Sequence, residues 1–145
     1  MKSKLVFLSF LFLSISAYSA KVDTVSTYSP SMQKDIKAVV ITPEAYNEKE
    51  QFPVVYLLHG YSGNYRNWID NVPELQEYAD RFGLMIVCPD GNYGSWYLDS
   101  PMLEDSKYET YVATELVSWI DERYSTVKSR NGRALDGSRN ELSVR

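Results

Sequence analysis

Two short glycine-containing loops carry the residues whose types and spacing could do chemistry. His59-Gly60-Tyr61-Ser62-Gly63 follows the apolar run Val54–Leu58, and Pro89-Asp90-Gly91-Asn92-Tyr93-Gly94-Ser95-Trp96-Tyr97 follows Leu84–Cys88. Glycine lets the backbone approach a ligand closely, and inward-pointing N–H groups are what an oxyanion hole requires. Spacing alone leaves each loop equally readable as a tight turn. The other chemical options are poor. One histidine and one cysteine are too few ligands for zinc, so no metal or other cofactor is expected. Cys88 has no partner for an internal disulfide, and inside an apolar run it reads as a buried, inert thiol. The chain is rich in aromatics, with 12 Tyr and 3 Trp. Such residues build cores, and they also line clefts for sugars or aromatic esters.

The elements that must position these loops follow from local pattern. Ile36–Ile41 is rich in β-branched residues and stops at Thr42-Pro43, which predicts a strand. Val54–Leu58 and Leu84–Cys88 are continuous apolar runs, suited to strands covered on both faces. Between them, Leu75, Tyr78, Ala79 and Phe82 fall at helical spacing, with Gly83 as the stop. Residues 92–106 read as a loop. Tyr108, Val112, Leu116, Trp119, Ile120 and Tyr124 form one apolar helical stripe, with Lys107, Glu109, Glu115, Glu122 and Arg123 assigned to the opposite side. Arg133-Ala134-Leu135 is too short to assign by pattern. Strand and helix in alternation predict an α/β protein with a largely parallel sheet, and ligands of such sheets bind beyond the carboxyl ends of the strands.

Tyr56-Leu57-Leu58-His59-Gly60-Tyr61-Ser62-Gly63, taken with Pro89-Asp90-Gly91 and Gly94-Ser95-Trp96-Tyr97, resembles the esterase D group of α/β-hydrolases. That group includes S-formylglutathione hydrolases, feruloyl, acetylxylan and tributyrin esterases, and mycolyltransferase relatives. The resemblance covers roughly residues 29–135 and implies a partial α/β-hydrolase fold, its N-terminal half, with a mostly parallel sheet and flanking helices. It implies a serine carboxylesterase acting through an acyl-enzyme on small-molecule or glycan-linked esters. The backbone N–H of Tyr61 would be an oxyanion donor, in the loop of His59, Gly60 and Gly63. His59 would hold the turn, Trp96 would line the substrate pocket, and Asp90 would tie down its loop.

The resemblance also implies a nucleophile elbow, Gly-x-Ser-x-Gly, directly after Arg133-Ala134-Leu135. The sequence there is Asp136-Gly137-Ser138-Arg139-Asn140, which fits the motif in neither register. Ser138 therefore reads as a polar tail residue, and no triad Asp and His follow it. The expectation is a catalytically incomplete, truncated form, with no catalytic residue intact. The competing expectation is a non-catalytic exported module that binds glycans or esters through its aromatic loop.

Lys2 and Lys4, the apolar run Leu5–Ile15 and the small residues of Ala17-Tyr18-Ser19 follow the order of a secretory signal peptide. Residues 1–19 are read as that signal and 20–145 as the N-terminal portion of the esterase domain, exported to a periplasm or beyond. The apolar stretch is too short for a comfortable span, so no stable membrane anchor is expected after cleavage. The net charge is −4, and without Lys2 and Lys4 there remain 13 basic against 19 acidic residues, or −6. No basic stripe is present, so a nucleic-acid partner is not expected. Mass spectrometry of protein recovered from an expressing bacterium should find the N-terminus at Ala20 or Lys21. Exported protein that retains Met1 would contradict the signal-peptide reading.

Overall fold

A computed structural model describes residues 19–137. The body of the signal segment and Ser138 lie outside the described residues. Five strands form one sheet in the order β1-β2-β4-β3-β5. They are β1 (Lys21–Ser29), β2 (Lys34–Thr42), β3 (Val54–Leu58), β4 (Met85–Pro89) and β5 (Arg133–Gly137). β3 runs parallel to both β4 and β5, whereas β1–β2 and β2–β4 are antiparallel. The sheet is thus mixed, and its parallel part is the β4-β3-β5 half. For β1–β2 the reason is local: residues 30–33 are too short a connection for a crossover, and only antiparallel strands can be joined so tightly.

From β3 the chain crosses through α1 (Asn67–Asn71) and α2 (Leu75–Phe82) to β4, then returns past β3 to β5. The order therefore reverses around β3. The return carries α3, residues 108–123, which begins as an α-turn, Tyr108–Thr110, loosens to a π-helix over Tyr111–Leu116, and resumes as α-helix over Val117–Arg123. The two faces of the sheet bury separate cores, as the two-residue period of a strand demands. Val40, Tyr56 and Val87 meet Tyr111, Leu116 and Ile120 of α3 on one face. Val39, Ile41 and Ile86 meet Leu75 and Ala79 of α2 on the other.

α3 is also fastened by polar contacts that the apolar stripe does not reveal. The Tyr111 hydroxyl, fully buried, donates to Thr27 Oγ1 at 2.6 Å, and Thr27 in turn donates to the Ile36 carbonyl. Glu115 does not sit on the outer side. Its carboxylate accepts the Ser29 hydroxyl at 2.5 Å and the Ser31 N–H at 2.8 Å, so it grips the β1–β2 hairpin. Both residues lie three or four positions from stripe members, Tyr111 from Tyr108 and Glu115 from Val112 and Trp119, so helical spacing puts them on the sheet-facing side.

α2 ends at Gly83, whose φ of 59° is left-handed and whose Cβ position faces open space. Gly83→Ala should therefore lower stability by ~1 kcal/mol through backbone strain alone. Thermal melts should show a fall in Tm, with Gly83→Asn falling less because Asn tolerates this conformation. An Ala variant as stable as the parent would refute the strain argument.

Candidate active site

The cleft lies where the chain reverses around β3, at the carboxyl ends of β3, β4 and β5, with a volume of ≈ 380 Å³. That is a volume suited to a small organic ligand. Its floor is Leu58 and His59 on one side and Leu135, Asp136 and Gly137 on the other. Trp68 of α1 secures the end of β3 by donating its indole N–H to the Leu58 carbonyl at 3.1 Å.

His59 is buried at the base of the cleft. Its Nε2 accepts the Gly91 N–H at 2.8 Å, and its Nδ1 lies 2.8 Å from the Gly60 carbonyl. An amide can only donate, so the ring proton is on Nδ1 and is given to Gly60. Both nitrogens are consumed in joining the loop after β3 to the loop after β4, and neither is free to act as a base. Gly63 backs this ring: a Cβ there would stand 2.8 Å from Nδ1.

Tyr97 makes the second tie. Its hydroxyl accepts the His59 N–H at 3.3 Å and donates to the Pro89 carbonyl at 3.1 Å. Burial pushes its phenol pKa upward, so it stays a neutral donor. Its ring lies so close against Gly91 that any Cβ there would collide with it. Ser95 Oγ donates to the Gly91 carbonyl and accepts the Tyr97 N–H at 3.0 Å, which holds the loop's return. Asp90 accepts the Asn92 N–H at 2.8 Å, and its own N–H bonds to the Lys37 carbonyl. Partial burial opposes its charged form. The backbone N–H groups of Asn92 and Tyr65 act the other way and favour the carboxylate. Oδ1 is 3.9 Å from His59 Nε2, too far for a direct hydrogen bond.

These ties leave several backbone N–H groups of the two loops over, those of Gly60 and Tyr61 among them. The N–H groups of Ser62 and Gly63 bond to the carbonyls of Tyr93 and Gly60, but that of Tyr61 meets no acceptor among the described residues. Above it stands an exposed aromatic wall. Tyr61 stacks on Trp96 with centroids 5.9 Å apart and planes 22° apart, and Tyr93 meets Tyr61 edge-on at 4.8 Å. Ser62, Asn92, Trp96 and Tyr97 all have φ between 54° and 61°. Asn tolerates this conformation, but left-handed backbone at Ser62, Trp96 and Tyr97 costs about 1 kcal/mol or more each, and three such cases around one cleft mark strain concentrated there.

The structure therefore brings His59, Gly60, Tyr61 and Trp96 to one cleft, with Gly63 behind them. The sequence reading missed the parts of Tyr97, Ser95 and Gly91, and it gave the last turn of β5 no place in the cleft floor. Cys88 is buried in the core against α2, and burial pushes its thiol pKa up to about 12, which makes it unreactive. No group of three or more potential metal ligands occurs among the described residues.

Residues 29–138 match the Esterase family, and the chain belongs to it. It is 25% identical over 121 residues to an acetyl esterase of Caldicellulosiruptor saccharolyticus, covering 78% of this chain and 44% of that protein. It is 31% identical over 108 residues to the diacylglycerol acyltransferase/mycolyltransferase Ag85A of Mycobacterium tuberculosis, covering 68% and 30%. Among solved structures it resembles a ferulic acid esterase (TM-score 0.70, 26% identity, 83% of this chain and 48% of that one). Another such esterase, from Anaeromyces mucronatus and solved with ferulic acid, gives a TM-score of 0.68 at 21% identity, covering 85% and 50%. The fold is that of the α/β-hydrolase esterases, and the chain spans half or less of the length of each of these relatives.

Gly91→Ala should force Tyr97 out of its seat and unpair His59, with a destabilisation of about 2 kcal/mol or more. Urea titration checks the stability, and the signal of the single imidazole checks the contact. Tyr97→Phe, which leaves the His59 N–H and the Pro89 carbonyl without their partner, should cost ~1–3 kcal/mol. An unchanged urea midpoint in both variants would show that the two loops are held by other means.

Proposed function

We propose that this chain is the oxyanion and substrate-pocket half of an exported carboxylesterase acting on small-molecule or glycan-linked esters. The observation that carries the reading is the Tyr61 N–H, which meets no acceptor among the described residues and belongs to a loop that lines the cleft. In ester cleavage by a serine, the carbonyl oxygen gathers negative charge as the hydroxyl attacks. A preorganised backbone donor at that point stabilises the transition state more than the ground state. Tyr61, Tyr93 and Trp96 offer flat faces for an aromatic acyl group or a sugar ring, and ferulic acid in the Anaeromyces relative is a ligand of that kind.

The reading includes incompleteness. The only histidine of the 145 residues is spent on Gly60 and Gly91, so no imidazole here can activate a serine. The exposed aromatic faces support a second reading, a module that binds esters or glycans without cleaving them. On both readings the protein works outside the cytoplasm.

Two measurements test these readings. The chain should hydrolyse short p-nitrophenyl esters no faster than its Ser138→Ala variant, whereas loss of a working nucleophile costs several orders of magnitude. A large drop in that variant would establish Ser138 as a nucleophile. Ferulate should quench the indole fluorescence of the chain, and Trp96→Ala should abolish the quench. A variant that binds ferulate as well as the parent would exclude the aromatic wall from substrate binding.

A further inference from the structure

The carboxylate of Asp80, at the opposite end of α2 from its first turn, sits against the backbone nitrogen of Ala20. We propose that Asp80 is the anchoring site for a newly freed N-terminus, which cleavage of the Ser19–Ala20 bond supplies as an α-ammonium group. The inference rests on the exported reading above and adds the position of the cut and a purpose for it.

Ala20 is only 2% exposed and packs with Val39, Ile41, Leu75 and Ala79. Its N–H donates to Asp80 Oδ2 at 2.9 Å, and its carbonyl accepts from Gln76 Nε2 at 2.7 Å. The residue is thus held on both sides by α2. The other oxygen of Asp80 accepts the Glu44 N–H at 2.6 Å. Asp80 lies in the last turn of α2, where the helix dipole disfavours a negative charge. Among the described residues it forms no ion pair with a lysine or arginine. Asp80 thus holds two neutral donors and no counter-charge among the described residues, and the nitrogen 2.9 Å away is the one that cleavage would charge.

The step is a simple hydrolysis. A peptidase adds water across the Ser19–Ala20 amide, Ser19 leaves as a carboxylate, and the Ala20 nitrogen takes up protons to become –NH3+. The ammonium keeps its hydrogen bond to Asp80, and with both partners now charged the bond becomes an ion pair. Ala17 and Ser19 then stand three and one positions before the cut, as small residues should. A cut after Ala20 would put Tyr18 at the third position and discard the residue that Asp80 and Gln76 hold. A buried Ala20 cannot enter a peptidase, so cleavage must precede docking.

The test uses protein expressed as the full chain and recovered after export. Mass spectrometry identifies the N-terminus, and an amine-acetylating reagent at neutral pH then measures its accessibility. Ala20 should be the first residue, and its amine should react at least about tenfold more slowly in native buffer than in urea. Asp80→Asn should abolish that protection while leaving acetylation of lysine side chains unchanged. If that variant fails to accumulate, the native-versus-urea comparison of the parent decides the matter. Ala20 at the terminus with an unprotected amine overturns the anchor. Lys21 at the terminus overturns it too but leaves export standing, and an intact Met1 overturns both.

Discussion

Two parallel strands that end side by side leave their outgoing loops with no ladder to hold them, and His59 is the solution at the ends of β3 and β4. A neutral imidazole is a rigid ring with a donor on one edge and an acceptor on another. Here the donor takes the Gly60 carbonyl and the acceptor takes the Gly91 N–H, so one side chain closes both loops. Tyr97 repeats the connection one layer away, between the His59 N–H and the Pro89 carbonyl. Much else follows from these ties. Gly91 can carry no side chain because Tyr97 lies on it, and Gly63 can carry none because His59 does. Tyr97 has left-handed backbone, and the Tyr61 N–H is left without an acceptor among the described residues.

Elements that announce themselves by apolar content could be read from the sequence. β2, β3, β4 and α2 each bury a run or a stripe of aliphatic side chains, and their bounds fall within a residue or two of the predicted ones. β1 gives no such signal because its fully buried positions are Thr27 and Ser29, while Val22 is exposed. Its existence depends on pairing with β2 and on the grip of Tyr111 and Glu115, contacts between residues far apart in sequence. β5 is similarly opaque. Most of its residues are exposed, and its place comes from parallel pairing with β3. Glu115 misleads in the other direction: a charged residue was assigned to the outer side, but two hydroxyl-bearing residues on the hairpin give it partners inside.

The site divides along the same line. Glycines after apolar runs point to two loops at one end of the sheet, so the location is legible. The chemistry within those loops is less so. Which nitrogen of His59 carries the proton depends on Gly91, more than 30 residues away, and no local pattern encodes that pairing. Left-handed φ at Trp96 and Tyr97 is likewise invisible in residue type, since aromatic residues do not favour it.

The buried ties and the exposed aromatics answer to different pressures. His59, Gly91 and Tyr97 touch each other and the strand ends, so exchanging one disturbs the others. Tyr61, Tyr93 and Trp96 project from that frame and lean mainly on one another. Sequence drift can therefore rewrite the wall, ring for aliphatic chain or large for small, while the backbone donor beneath keeps its position. A lineage built on this arrangement can change what it admits in single steps, each neutral for folding, without passing through a form that has lost its frame.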